Sequence, residues 1–458
     1  MALTPLRRTG CYLTLLFLLC IVIFIVTLQV LWESSDPSAH TTTTAPRPAT
    51  HLFAPNSPQS SQWSFRHPRD ASNHGLSEAQ CLAAFPSLYH EIDRAVAHRR
   101  SVGNITLNDV DPAWRGDGIV RAMIHHNNLY ILEARGVSDH NHRPRSLATL
   151  HAIHRAIVAS QEPLPDIEFT FTVHDYVELG EEEGKPGHTT WAYARLEKQE
   201  TLWLMPDFNM WSWPDVGIRS YGEFQDLVLE DDEGAAEFVD KIPKLVWRGA
   251  VHGLAAEDVR GSLIEHAQGR EWSDVQALDW GNKTDIDAKL LSMQQHCGYQ
   301  YLAQTEGNTY SGRLKFLLNC GSVVVAHKMN FVEHFHHLLD ASRGEGQNIV
   351  RFRDRDFKEL EETIEYYLAR PLEAQRIAEN SARLFRERYL TSAAEACYWR
   401  VLFRGWAQVQ GFEVEFYRPE EHGRKRKPRG VPFESYVIME TVDWEIPPKA
   451  RKICEYDP

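Results

Sequence analysis

The chain has 458 residues, of which 43% are hydrophobic, 24% charged and 11% aromatic. At roughly 100 to 200 residues per domain this length holds two or three domains with full cores, and the composition excludes both wholesale disorder and a multi-span membrane protein. A formal net charge of −14 sets the molecule against long polyanions, so no nucleic-acid partner is expected.

In chain order, the first feature is an uncharged apolar run from Thr9 to Trp32. A bilayer core takes about 20 apolar residues as helix, whereas the apolar part of a cleavable signal usually has about 7 to 15. The run therefore predicts a membrane-spanning signal anchor over 9–32. Arg7 and Arg8 precede it and Glu33 and Asp36 follow it, which leaves the tail 1–8 in the cytosol and the remainder in a lumen or outside. Residues 33–75 are dominated by Ser, Thr, Pro, His and Ala without a sustained apolar period, the make-up of a disordered stem. Tail, single anchor, stem and luminal body are the plan of a type II Golgi membrane enzyme. The sequons at Asn104 and Asn282 fit an exported, glycosylated chain. Cys11 and Cys20 fall in the anchor, so Cys81, Cys297, Cys320, Cys397 and Cys454 face an oxidising compartment where disulfides form, with Cys454 the candidate for the thiol left over. Without a C-x-x-C pair, a cysteine-based metal site is not expected.

The body opens with helices, one predicted from Cys81 to Arg99 and another through Ser146–Ile153. The alternating run Asp166–Tyr176 predicts a strand ending at Asp175; Leu202–Met205 predicts one halted by Pro206-Asp207, and Lys244–Trp247 one halted by Arg248-Gly249. Such alternation argues an α/β sheet, whose ligands gather beyond the carboxyl ends of the strands, where Asp175, Asp207 and Arg248 stand. The later half repeats the scheme: strand Tyr299–Ala303, loop Gly307–Gly312, helix Arg313–Cys320, strand Ser322–His327, then helices Phe357–Ala369 and Ala374–Tyr389. The acidic stretch Glu230–Gly234 marks a linker. It divides an N-terminal body, 76–225, from a C-terminal body, 226–400, with a helix and tail at 401–458.

The loop Gly307–Gly312 is small and polar and sets Arg313 at a helix start, which is the make-up of an anion site, though also of an ordinary capped helix. It is neither G-x-G-x-x-G nor a Walker loop, so nicotinamide cofactors and P-loop phosphoryl transfer lose support. Asp175 suits a general base and equally a helix cap. Arg248 and Arg260 suit a diphosphate or surface ion pairs, and Trp211-Ser212-Trp213 a sugar-stacking platform or aromatic packing. The stretch Glu333-His334-Phe335-His336-His337 lacks H-E-x-x-H and reads as an amphipathic helix rather than a metal site. Arg424–Arg429 reads as a solvated loop.

In their order, Lys244-Leu245-Val246-Trp247-Arg248-Gly249, Gly307-Asn308-Thr309-Tyr310-Ser311-Gly312-Arg313-Leu314-Lys315, Cys320-Gly321-Ser322-Val323-Val324 and Glu333-His334-Phe335 resemble the fungal capsule-associated glycosyltransferase family, which includes the Rumi-like protein O-glucosyltransferases of animals. The resemblance runs over about residues 80 to 410. It implies a GT-B-like pair of Rossmann-type domains, inverting transfer from a UDP-sugar, UDP-xylose or UDP-glucose, and no obligatory active-site metal. Its motifs imply Asp175 as the base, and Arg248, Gly249 and Ala250 beside the nucleotide-sugar. Arg260 falls at the diphosphate, and Asn308, Thr309, Tyr310, Ser311, Gly312 and Arg313 around the UDP. Trp211, Ser212 and Trp213 fall in an acceptor and sugar pocket after Pro206-Asp207-Phe208. His174 stands where many relatives have Arg, and Ala250 where some have Ser. The resemblance also implies disulfides Cys297–Cys320 and Cys81–Cys397. The ending Glu455-Tyr456-Asp457-Pro458 differs from the ER-retention tetrapeptide of the animal enzymes, which with the anchor favours the Golgi over the ER. The function implied is xylosyl transfer to mannose-containing glycans, with glucosyl transfer to protein Ser as runner-up. The alternative class is an inactive carbohydrate-binding or scaffold protein of the same fold.

Overall fold

Two β-sheets organise the structure, a computed structural model that describes residues 63–176, 188–230, 237–418 and 426–439. The expected tail, the anchor at 9–32, the stem up to residue 62, the linker from 231 and Cys454 lie outside the described residues. Among the described residues no helix is long and apolar enough to cross a membrane.

The predicted opening helix divides into α1 (Glu78–Ala84) and α2 (His90–Val102), because Pro86 drives Phe85 out of helical geometry. Ser77 starts α1 in a reciprocal capping box with Gln80. A hairpin follows, β1 (Ile119–His125) and β2 (Asn128–Arg135), closed by His126 and Asn127, whose φ values of 48° and 58° are what a two-residue hairpin turn demands. Then come α3 (His142–Val158), β3 (Ile167–Thr172), β4 (Thr190–Ala192), β5 (Arg195–Leu196), β6 (Leu202–Leu204) and α4 (Tyr221–Glu230). β1 pairs antiparallel with both β2 and β3, while β3, β4 and β6 run parallel. The first sheet is therefore mixed, with a parallel part, β3, β4 and β6, beside an antiparallel one. The hairpin introduces the antiparallel pairs.

The second half runs β7 (Ile242–Gly249), α5 (Glu257–Ala267), β8 (Ser273–Ala277), α6 (Lys283–Lys289), α7 (Met293–His296), β9 (Tyr299–Gln304), α8 (Leu314–Leu317), β10 (Val323–Ala326), β11 (Phe331–Val332), β12 (Val350–Arg351), α9 (Leu360–Leu368) and α10 (Pro371–Leu384). The sheet order β12-β10-β9-β7-β8 is parallel throughout. That is a doubly wound order with its reversal between β7 and β9, the place where such sheets bind ligands. Strand alternation splits the core in two. Leu245, Trp247, Tyr301, Ala303, Val323 and Val325 face α5, α9 and α10, whereas Val246, Leu302, Val324 and Ala326 face the α4 and α8 side.

The chain then returns. In α11 (Ser392–Ala407), Trp399, Phe403 and Trp406 join Trp191 and Trp203 in the core of the first sheet, and β13 (Val431–Pro432) and α12 (Phe433–Ile438) complete that side. The expected end of the C-terminal body at 400 thus falls inside a helix of the first core. The stem expected through 75 also overshoots: Trp63 and Phe65 pack on the same core, and the Ala71 carbonyl accepts from the Ala393 amide at 2.9 Å. Averaged over a Ser/Thr/Pro stretch, two aromatics do not register as a period.

Candidate active site

Residues that follow β3 and β6 of the first sheet meet residues that follow β9 of the second. Three contacts bridge the cleft. Asn308 Nδ2 donates to Asp175 Oδ2 at 3.4 Å, Asn209 Nδ2 to the Gly312 carbonyl at 3.3 Å, and Lys315 Nζ to Asp207 Oδ2 at 2.8 Å. Lys315 is wholly buried, with Glu333 as a second carboxylate at 3.8 Å and the Gly312 carbonyl at 3.0 Å. A buried pair of this kind is costly to break from one side, about 3–5 kcal/mol. Gly312 is obligatory here, since a Cβ would stand 2.4 Å from Asn209 Nδ2.

On the second-sheet side, Glu306 is clamped by the Asn330 and Phe331 amides at 2.6 and 2.8 Å and by Arg355 at 2.7 Å. Arg260 of α5 donates to the Glu306 and Ala250 carbonyls at 2.8 and 2.7 Å, and Arg313 to the Arg248 carbonyl at 2.6 Å. Both guanidinium groups lie by the Trp247 ring, at 5.7 and 5.8 Å. Neither meets a carboxylate among the described residues, and Arg313 Nε is buried without a partner. Burial, then the neighbouring Arg260 charge, pushes Arg313 down to about 9, and burial pushes Arg260 down to about 10. Two cations destabilised in this way form a corner that an anion would relieve. The predicted helix Arg313–Cys320 is only the single turn α8, so the anion character comes from guanidinium groups rather than a macrodipole.

On the first-sheet side, Asp175 follows β3 and is held by Arg145 of α3, whose Nη1 donates to Oδ1 at 2.6 Å and to the Val173 carbonyl at 3.3 Å. The Arg145 guanidinium also covers the Phe208 ring at 5.2 Å. Burial opposes its charge, yet Asp175 more than compensates and its pKa is raised. The Asp175 side chain remains 38% exposed. His174 is turned to other partners, Asp117 at 3.3 Å and the His142 ring at 5.2 Å. The Tyr193 and Tyr310 rings are 6.4 Å apart, with both hydroxyls driven well up by burial and then by Asp207.

Of the residues singled out in the sequence, Asp175, Ala250, Arg260, Asn308, Gly312 and Arg313 take part in the contacts just described. Thr309 and Ser311 act through their carbonyls, which accept from Gly307 and Leu314. A Cβ on Gly249 would stand 2.8 Å from Trp247. Arg248 is placed differently: Nε donates to the Lys289 carbonyl at 2.7 Å, and Nη2 to Asp274 Oδ1 at 2.8 Å, tying β7 to β8. Trp211 stacks on His151 at 5.1 Å and under Arg155 at 4.6 Å, while Trp213 meets Phe208 edge-on at 5.9 Å. The Ser212 hydroxyl donates to the Ile218 and Arg219 carbonyls. The two indoles therefore pack separately. The Glu333–His337 stretch is a short turn rather than the predicted amphipathic helix, its Glu333 and His334 buried. Arg145 and Tyr193 carried no motif that would have found them. An open groove of about 980 Å³ between Trp63–His67 and Asn380–Arg388 is the largest described, and none of Asp175, Arg260 or Arg313 lines it. Both disulfides, Cys81–Cys397 and Cys297–Cys320, are formed. Asn104 and Asn282 are exposed, with Asn282 capping α6.

A family model described as Glycosyl transferase family 90 matches residues 78–422. The chain belongs to glycosyltransferase family 90. It is similar to the O-glucosyltransferase rumi of Drosophila melanogaster, 23% identical over 336 residues that cover 69% of this chain and 78% of that protein. It is also similar to Protein O-glucosyltransferase 1 of Homo sapiens, 23% identical over 271 residues, 55% of this chain and 64% of that one. Among solved structures, Anabaena Alr3699/HepE in complex with UDP and glucose overlaps 38% of this chain and 50% of that chain, at 14% identity and a TM-score of 0.24. A likeness that slight carries no argument about fold or ligand.

Proposed function

We propose that this chain transfers a sugar from a UDP-sugar to a hydroxyl of a glycan or protein acceptor, with inversion, using Asp175 as the base. The observation that carries the reading is one cleft with an ion-paired, accessible carboxylate on one wall and two arginines without carboxylates on the other. The two bodies then act as a GT-B-type pair. The first, from Trp63 and completed by α11, holds the acceptor and base; the second, around β7–β10, holds the donor.

Arg260 and Arg313 receive the diphosphate, and residues 308–313 line its seat. Negative charge grows on the diphosphate as its bond to the sugar lengthens, and cations already fixed in place stabilise that charge most in the transition state. Arg145 occupies Oδ1 of Asp175, and Oδ2, which accepts only the long 3.4 Å bond from Asn308, takes the acceptor proton as the new bond forms. Attack from the face opposite the diphosphate inverts the anomeric carbon. Arg248 supports the donor site through β7 and β8, and Trp213 with Phe208 forms the wall nearest Gly312. The donor is UDP-glucose or UDP-xylose, which differ by one hydroxymethyl group; the names of the rumi and human relatives support glucose. The apolar run at 9–32 supports a single-pass type II placement in the Golgi membrane.

The test is UDP release by the full-length protein from UDP-glucose, UDP-xylose, UDP-galactose and UDP-glucuronate, with mannosides and a Ser-containing peptide as acceptors. Release from one donor, lost in Asp175→Asn, is the expected result. UDP binding without turnover on any pair would return the chain to the carbohydrate-binding alternative, and absence of UDP binding overturns the donor site.

A further inference from the structure

We propose that His125, His126 and Asp166 form a zinc site at the end of the first sheet remote from the cleft. Asp166 immediately precedes β3 and Asp175 lies just beyond its other end, so at about 3.3 Å per residue the two carboxylates stand roughly 25–30 Å apart. The donor atoms of the three side chains all lie within 4.8 Å of one another.

Local structure explains why they converge. The hairpin turn holds His126 at φ 48°, and its exposed ring stacks on that of His125 at 3.9 Å. On its other side His125 is held by Phe416, 4.7 Å away and nearly parallel. The His126 amide donates to Asp166 Oδ1 at 2.8 Å, which fixes the carboxylate and leaves Oδ2 for an ion. His125 Nδ1 lies 2.6 Å from that Oδ2, yet the contact lacks hydrogen-bond alignment and the buried nitrogen has no hydrogen-bond partner. That misaligned contact can give way to a metal bond at the same nitrogen.

Two imidazoles and one carboxylate are a borderline donor set that suits Zn²⁺, with water as a fourth ligand; Ca²⁺ and Mg²⁺ would want more oxygens. Ligands at about 2.0–2.1 Å from a tetrahedral ion are about 3.3 Å from one another. The His125–Asp166 contact therefore opens slightly on binding and the exposed His126 ring closes in. The bound ion would join the β1–β2 turn to the start of β3.

Full-length protein stripped with a chelator is dialysed against Zn²⁺ and its metal content and melting temperature are measured. Wild type should take up about one ion per chain at low micromolar free zinc and melt a few degrees higher with it. His126→Ala and Asp166→Asn should each weaken that uptake by about 30-fold or more and abolish the melting shift. The first changes an exposed side chain, and the second keeps an acceptor for the His126 amide, so unchanged circular dichroism separates lost binding from lost folding. Uptake and melting shift equal to wild type in both folded variants would assign the zinc to other histidines and overturn the proposal, as would no uptake by wild type at about 100 µM zinc.

Discussion

The two walls of the cleft handle charge in opposite ways. On the first-sheet wall, every principal charge is answered inside the protein, Asp175 by Arg145 and Asp207 by Lys315. On the second-sheet wall, Arg260 and Arg313 donate only to main-chain carbonyls, and burial disfavours both cations, with the Arg260 charge further disfavouring Arg313. Charges neutralised from within prepare geometry, while charges left unneutralised wait for a ligand. Arg248 shows that type alone does not decide: it sits on the second-sheet side yet belongs to the neutralised class through Asp274.

The largest expected effect is on the neutralised wall. Asp175→Asn should lower turnover by about 10³-fold with UDP affinity unchanged by calorimetry; equal loss of both would dissolve the division between walls. Next, Arg260→Met and Arg313→Met should each weaken UDP binding by about 10- to 100-fold, since charge-assisted contacts to phosphate are lost. Arg248→Met should instead lower stability by about 2 kcal/mol in denaturant melts, leaving Asp274 without its cation, and keep UDP affinity near wild type. Lost UDP affinity with an unchanged melt would move Arg248 into the ligand-awaiting class. Arg145→Met should reduce kcat by about tenfold at constant donor KM, with partial recovery in Arg145→Lys, if Asp175 is the base, because its carboxylate loses its orientation. A separate, pH-dependent effect concerns Lys241, whose ammonium donates to the Cys320 and Gly321 carbonyls and Ser322. Burial, then the nearby Arg386, pushes it down from 10.5 to about 7. Between about pH 7 and 10.5 the unfolded chain keeps a proton that the folded one has released, so this group makes stability rise with pH across that window. Melts of Lys241→Met should lack that rise.

The strands themselves were legible from their periodic runs, but their ends less so: β6 does stop before Pro206-Asp207, whereas β3 ends at Thr172, short of Asp175, and β7 runs on through Arg248 and Gly249, which pair with β8. The loop 307–313 was legible through its glycines, and Gly312 does admit no side chain. What sequence withheld was the destination of side chains. Arg145 lies in the first turn of α3 with no motif around it, and only the tertiary placement of that helix brings it to Asp175. Arg248 and Arg313 read alike as motif arginines, but one turns to Asp274 and the other to the cleft. The β1–β2 hairpin escaped notice because its turn is His-Asn rather than a glycine pair, and the route of α11 is a tertiary fact that no local period encodes.

That route has a consequence for biosynthesis. The first core is written in two pieces of chain, with the whole second sheet between them. As synthesis proceeds, residues 242–384 are all present and able to assemble before α11 emerges. The earlier-made sheet meanwhile waits with Trp191 and Trp203 uncovered, lacking the Trp406 ring that closes on them at 5.5 and 5.0 Å. Cys297 meets Cys320 after 23 residues, whereas Cys81 must stay unpaired across 316 until Cys397 arrives. The first core is thus completed only when α11 arrives, bringing Trp406 to its tryptophans and Cys397 to Cys81.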